Sequence, residues 1–237
     1  PGAKYSGLNV MCLYYYYTGR QNKALSLIAE AREEAREENH ELGLVLCHVT
    51  LSQIYGESGN LLSERENLRK CLEIAENSDQ ANELFYNAGA ELYLMLAETY
   101  KAGSDSMRLF LSKAHDNLKF HADSVRYNYD QAIISLIDKD RDAYENYKAE
   151  FLRQASRDGD FFLPETKKLE LAEKITQTRD EDLADLAGDD WKYVSTTALG
   201  VFQEIAEEYG NPELSEWCGR CSPTSCRTPA SSRRKAG

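Results

Sequence analysis

Apolar residues recur along most of this chain at helical spacing, and no segment shows the strict alternation of a strand bounded by turns. Leu8, Met11, Cys12 and Tyr15 fall at i, i+3, i+4 and i+7, which places them on one face of a helix. Ala24, Ile28 and Ala31 repeat the pattern after Thr18-Gly19-Arg20. Gly19 stands where the first helix must stop, because glycine takes the left-handed conformation without steric cost. The small residues Cys12, Ala24 and Ala31 allow two helix axes to approach closely, so residues 8–31 predict a tight αα-hairpin. A second hairpin is predicted over Gly43–Glu76, with Leu51, Ser52, Tyr55, Gly59, Leu68 and Cys71 in corresponding roles. The Tyr15–Gly19 element returns as Tyr55–Gly59, forty positions later, while Glu64 replaces the small Ala24 and weakens the match.

Two further hairpins are more degenerate. Residues 79–102 read as one long helix with Leu92, Leu96, Ala97 and Tyr100 toward the core, ended by Gly103 and followed by a partner carrying Met107, Phe110, Leu111, Ala114 and Leu118. There the aromatic-to-glycine spacing is one shorter. Residues 121–157 pair a helix holding Val125, Tyr129, Ala132, Ile133 and Leu136 with one holding Ala143, Tyr147 and Phe151, across a turn at Asp138–Asp142. Phe161-Phe162-Leu163-Pro164 interrupts the pattern. A helix from Pro164 through Ile175, an acidic stretch at Gln177–Asp190, a strong helix from Trp191 to Tyr209 and a short helical turn at Glu213–Trp217 follow. From Cys218 onward Gly, Ser, Pro, Thr and Arg dominate, which predicts a disordered tail. The expected organisation is therefore all-α: helical hairpins over 1–157 (two clear, two degenerate), further helices over 158–217 that pack on them, and a basic tail over 218–237.

The residues Leu8, Met11, Cys12, Tyr15, Gly19, Ala24, Ile28 and Ala31 follow the order of bulky, bulky, small, aromatic, glycine, alanine, large and alanine that marks a tetratricopeptide repeat, and the chain resembles that family. Its period of forty exceeds the usual one of about 34 residues, as in long-helix members. The resemblance implies an antiparallel helix-hairpin solenoid with a right-handed superhelix and a concave groove that holds a protein segment. Counted on the repeat, the groove falls on Asn9, Leu13, Tyr16 and Tyr17, then Val49 and Gln53, then Leu94 and Glu98. Tyr14 to Tyr17 sweep about 400° of a helix at roughly 100° each, so the four tyrosines cannot share one core face; Tyr15 takes the core position and leaves Tyr16 and Tyr17 for binding or for neighbouring helices. Chaperone-binding repeats hold a terminal carboxylate with Lys and Asn at the groove positions, whereas Asn9 and Leu13 stand there in this chain, so a chaperone tail is not the expected ligand.

Charge narrows the partner. The net charge is −12, yet residues 218–237 carry +5, leaving −17 on the rest. An acidic body repels phosphate, so nucleic acid and anionic membrane are excluded as partners and a basic or apolar protein segment is favoured. No apolar run approaches the roughly 18 residues of a membrane helix, and the first residues show no signal-peptide pattern. The chain begins with Pro-Gly rather than with Met. Cys12, Cys47 and Cys71 lie inside helical patterns, a usage that suits a reducing compartment, the cytosol or the nucleus.

Candidate chemistry is sparse. Cys218-Gly-Arg-Cys221 has the spacing of a redox pair, and Cys226 would add a third zinc ligand. The strand and helix N-terminus that such a thiol needs are not predicted, and no fourth ligand follows. Asp138-x-Asp140-x-Asp142 starts like a calcium loop, but Ala143 and Ala149 occupy the places of its glycine and glutamate. No phosphate loop, nucleophile elbow or histidine pair is present. The expectation is a non-catalytic adaptor with no cofactor and no metal. Its competitors are a structural subunit of a large assembly and, more remotely, a thiol or zinc enzyme using Cys218 and Cys221. Ser222-Pro223 and Thr228-Pro229 are candidate phosphosites; phosphate there would offset the tail's positive charge and release it from the acidic body.

Overall fold

The computed structural model describes residues 2–78, 81–178 and 186–220. All regular structure among them is helical. Among the described residues eleven α-helices follow one another: α1 (Gly2–Tyr17), α2 (Gln21–Glu37), α3 (Glu41–Glu57), α4 (Leu61–Asn77), α5 (Ala81–Glu98), α6 (Asp105–Asp116), α7 (His121–Ile137), α8 (Arg141–Ala155), α9 (Leu163–Gln177), α10 (Thr196–Glu208) and α11 (Pro212–Arg220).

The helix starts at 21, 41, 61, 81, 121 and 141 follow one twenty-residue step per helix, forty per hairpin, as far as α8, with α6, at 105, the exception. The turns explain the regularity. Gly19, Asn39, Gly59 and Lys139 all adopt positive φ, at 78°, 50°, 75° and 59°. Each donates its N–H to the carbonyl three residues back, and the next residue donates to the carbonyl five back, as Arg20 does to Tyr15 and Asn60 to Tyr55, both at 2.8 Å. These paired bonds satisfy the last carbonyls of each helix and reverse the chain in three residues. The next helix is then capped from its own side chain: His40 Nδ1 accepts from the Gly43 N–H, Asn60 Oδ1 from Ser63 and Asp140 Oδ1 from Ala143. Asp140 is thus a helix cap, which accounts for the acidic turn at 138–142.

The chain forms two compact units. One comprises residues up to Tyr100 with Ser106–Asp123; the other comprises Lys101–Asp105 with the chain from Ser124 onward. In the first, α1 packs on α2 and α3, α2 on α3, α3 on α4 and α4 on α5. Its core joins Tyr5 and Cys12 of α1 with Ala24, Ile28 and Ala31 of α2 and Leu51 and Ile54 of α3. Close approach at Cys12, Ala24 and Ala31 is as expected. Tyr93 and Phe110 stack at 6.5 Å between α5 and α6. In the second unit, Val125, Ile133, Tyr144 and Phe151 of α7 and α8 share one core with Leu169 of α9, Phe202 of α10 and Leu214 of α11.

The fourth hairpin, α7 and α8, shares this core with the C-terminal helices, because their apolar faces close on one another. Two helix limits change. The helix expected over Trp191–Tyr209 is a 3-10 stretch, Gly188–Tyr193, followed by α10, because Ser195 caps a new helix through the Ala198 N–H. The helix expected to stop at Trp217 runs to Arg220 and buries Cys218, so residues 218–220 are not tail. Pro164 stands in the first turn of α9, as expected. Met11, expected in the core, is exposed, since no described helix lies against that side of α1.

Candidate functional site

The face shared by α1 and α3 carries most of the expected groove residues. Asn9 donates its side-chain amide to Thr50 Oγ1 at 2.8 Å and to Gln53 Oε1 at 3.2 Å, which locks the two helices in register. Leu13 and Tyr16 are half-buried and pack on the core of the first two hairpins, presenting part of their surface outward. Val49 and Gln53 are likewise half-buried on α3. Tyr17 is exposed and meets Tyr16 edge to face at 5.7 Å. Its hydroxyl bonds to Glu57; burial first, and that carboxylate second, push its pKa up to about 12.

Leu94 is not in the groove. It is 0 % exposed in the core of the first unit. Tyr100 does not occupy the place of Tyr15, because α5 ends at Glu98 and Tyr100 lies beyond it in the turn. On the forty-residue register the equivalents of Asn9 and Leu13 are Gly89 and Tyr93, and both are buried. Among the described residues the tyrosine-lined face therefore runs over α1 and α3.

Glu98 gains a different setting. Like Glu57 of α3, it lies near enough for its charge to act on Glu64 of α4. Burial pushes Glu64 up to about 7; the charges of Glu98 and Glu57 add to the rise and Arg65 opposes it. Arg65 is engaged elsewhere: its Nε donates to Thr99 Oγ1 at 3.1 Å, and its guanidinium lies 4.0 Å from the centre of the Tyr100 ring. Glu64 reaches inward because Gly56 leaves room, since a Cβ at Gly56 would come within 2.8 Å of the Glu64 carboxylate. Glu57 and Glu64 were missed as site residues. The forty-residue register offered the signal for Glu57, which stands where α1 has Tyr17.

The buried thiols are structural. Cys12, Cys47 and Cys71 are free and buried, and Cys218 is buried. Burial raises Cys47 to about 11 and Cys71 to about 12, far from the thiolate that redox or metal chemistry uses. Cys218 sits in the last turn of α11, at a carboxyl rather than an amino end. Among the described residues no three His, Cys, Asp or Glu gather as a metal site, and no helix is long and apolar enough to cross a membrane. Cys221, Cys226, Ser222 and Thr228, with the rest of the basic tail, lie outside the described residues. Comparison of the chain with protein-family models, with curated proteins and with solved structures finds no match.

Proposed function

We propose that this chain is a non-catalytic adaptor of the tetratricopeptide-repeat kind, stacked as a right-handed superhelix, that holds a segment of a partner protein along α1 and α3. The observation that carries the reading is the joining of two surfaces. Leu13, Tyr16 and Val49 offer a half-buried apolar face, Asn9 fixes the two helices through Thr50 and Gln53, and Tyr17 leads from it toward Glu57, Glu64 and Glu98. Rigid tyrosines bind apolar side chains at low entropic cost, and carboxylates select a cation beside them. The partner is therefore a segment with apolar anchors and an adjoining Lys or Arg, in a reducing compartment such as the cytosol or nucleus.

The test pairs binding with stability. Leu13→Ala with Tyr16→Ala is expected to abolish retention of the partner captured from cell extract by the unaltered chain. The melting temperature should stay within about 2–4 °C, the shift that about 1 kcal/mol gives a chain of this size. Undiminished capture would refute the α1–α3 face, and a larger fall in melting temperature would assign both residues to the core.

A further inference from the structure

Helix α3 carries Val49 and Gln53 of the proposed partner face, and two of the chain's four histidines belong to it: His40 caps its start and His48 stands in its middle. His115 and His121 lie on α6 and α7. We propose that α3 is an acid-sensitive element: protonation of His40 and His48 releases its first turn and its tie to α4, and so loosens its packing on α1. The release is a property of the fold; only its consequence, that a bound segment is let go on acidification, rests on the adaptor reading.

The cap sets the first requirement. His40 Nδ1 accepts the Gly43 N–H at 2.9 Å, and only an unprotonated ring nitrogen accepts. Protonation turns Nδ1 into a donor facing a donor. It also adds positive charge at the amino end of a helix, where the macrodipole disfavours it. The side-chain caps of α4, α8 and α10 are of another kind: Asn60 and Ser195 do not titrate, and Asp140 accepts through its carboxylate.

The first turn of α3 has nothing else to hold it. Gly43 is its third residue, and glycine is the weakest helix former after proline. A side chain is ruled out there, since a Cβ would stand 2.7 Å from the Tyr5 ring. Tyr5 is 2 % exposed in the core of α1, α2 and α3, and its ring lies 5.0 Å from that of His40. Cap, glycine and tyrosine are therefore one assembly, and a first turn that frays unseats Tyr5 of α1. The charged groups around His40 are Lys4 of α1, Glu34 and Glu38 at the end of α2, and Glu41 of α3. Glu34 pairs with Lys4, Glu38 accepts from the Tyr5 hydroxyl at 3.5 Å and Glu41 accepts from Ser78, so each carboxylate is already engaged.

The second requirement lies about two turns further along. His48 is 8 % exposed and meets Asn67 Oδ1 of α4 through Nδ1 at 2.8 Å. The Asn67 amide donates to the Ser63 carbonyl, so Nδ1 carries the proton and a second proton must go to Nε2. The charge then falls inside the hairpin, where burial opposes it and Arg32 of α2 and Lys70 of α4 repel it. Glu66 attracts it, but is already paired with Lys70 at 2.6 Å.

Backbone nuclear magnetic resonance and native-state hydrogen exchange on the full chain test this between about pH 7.5 and 5.5, within the range where histidine changes charge. The Gly43 amide resonance should move with the titration of His40. Exchange of the amides from Gly43 to His48, corrected for the intrinsic effect of pH, should accelerate at least about fivefold at the acid end, the effect of a lost cap. His40→Asn keeps an acceptor that does not titrate and should leave the Gly43 resonance fixed and the first turn protected. His40→Ala lacks the acceptor and should exchange fast at both ends. His40→Asn combined with His48→Asn should remove the acid response of α3. A Gly43 resonance indifferent to pH, or exchange unchanged across the range, overturns the proposal, as does an acid response that persists in the double variant. No partner enters these measurements, so a negative result is distinct from failure of the α1–α3 face to bind.

Discussion

Glu64 and Gly56 show how a single pair of residues departs from a repeat while keeping its geometry. The first hairpin has Tyr16 and Ala24 at the corresponding positions, a large residue on the first helix and a small one on the second; the second hairpin reverses the sizes. Read alone, Glu64 looks like a fault in the pattern. Over Gly56 it has room, at the cost of partial desolvation, and its pKa rises to about 7. In the unfolded chain a glutamate titrates near about 4.3. Between those values the native state holds the extra proton, so stability is highest below about pH 4.3 and falls as pH rises through about 7. Glu64→Gln is expected to remove that slope and, above pH 7, to raise the melting temperature by about 2–4 °C, or about 1 kcal/mol once solvent screening of this part-exposed group is allowed for. Buried His48, whose Nδ1 donates to Asn67 Oδ1 at 2.8 Å while the Asn67 amide donates to Ser63, contributes the opposite slope. Burial lowers its pKa, so its contribution is lost as pH falls below the unfolded value of about 6.5. Thermal melts of variant and unaltered chain compared from pH 5 to 8 (roughly the span that covers both groups) isolate Glu64; parallel curves would show that it titrates normally.

At the scale of elements, the turn sets the period. Gly19 and Gly59 were legible as helix ends because glycine is the residue that relaxes most at positive φ. Asn39 and Lys139 close their helices through the same two hydrogen bonds, and nothing in the local sequence announces Lys139. Each of these turns spans three residues between helices, so the helix starts stay twenty apart. The long turn from Thr99 to Ser104 takes up the slack of a shorter α6 and returns α7 to register. Gly59→Val is expected to cost about 1–2 kcal/mol, since a β-branched residue resists φ of 75°. Gly59→Asn should cost much less, by the precedent of Asn39. A denaturant melt showing Val and Asn equal at this position would remove the turn from the account of the repeat.

For the whole molecule, the telling feature is that each compact unit has its own core. Phe151 is fully buried in the second unit, among residues of α7 to α11. Leu68 is fully buried in the first. Phe151→Ala is expected to destabilise its unit by about 3–5 kcal/mol, and Leu68→Ala its own by about 2–5 kcal/mol, from lost burial plus the cavity left behind. Native-state hydrogen exchange distinguishes the two: Phe151→Ala should lower protection in α7 to α11, and Leu68→Ala in α1 to α5. Loss of protection in the opposite pattern would place the boundary elsewhere.

Helical periodicity, the small residues at Cys12, Ala24 and Ala31, and glycine at 19 and 59 determined the all-α hairpins on their own, because each acts through the local backbone or through the face of one helix. The outward chemistry of α1 was equally local: a helix of sixteen residues with one charge and four consecutive tyrosines cannot hide them all. What only the tertiary structure decided depended on neighbours distant in sequence. The register of α5, and with it the burial of Leu94, followed from hairpin stacking rather than from the misleading Tyr100–Gly103 spacing. The union of α7 and α8 with α9 to α11 required apolar faces to find one another across turns of unequal length. The influence of Glu57 and Glu98 on Glu64 arose because three helices bring near one another carboxylates up to 41 positions apart in the chain, a proximity that no periodicity encodes.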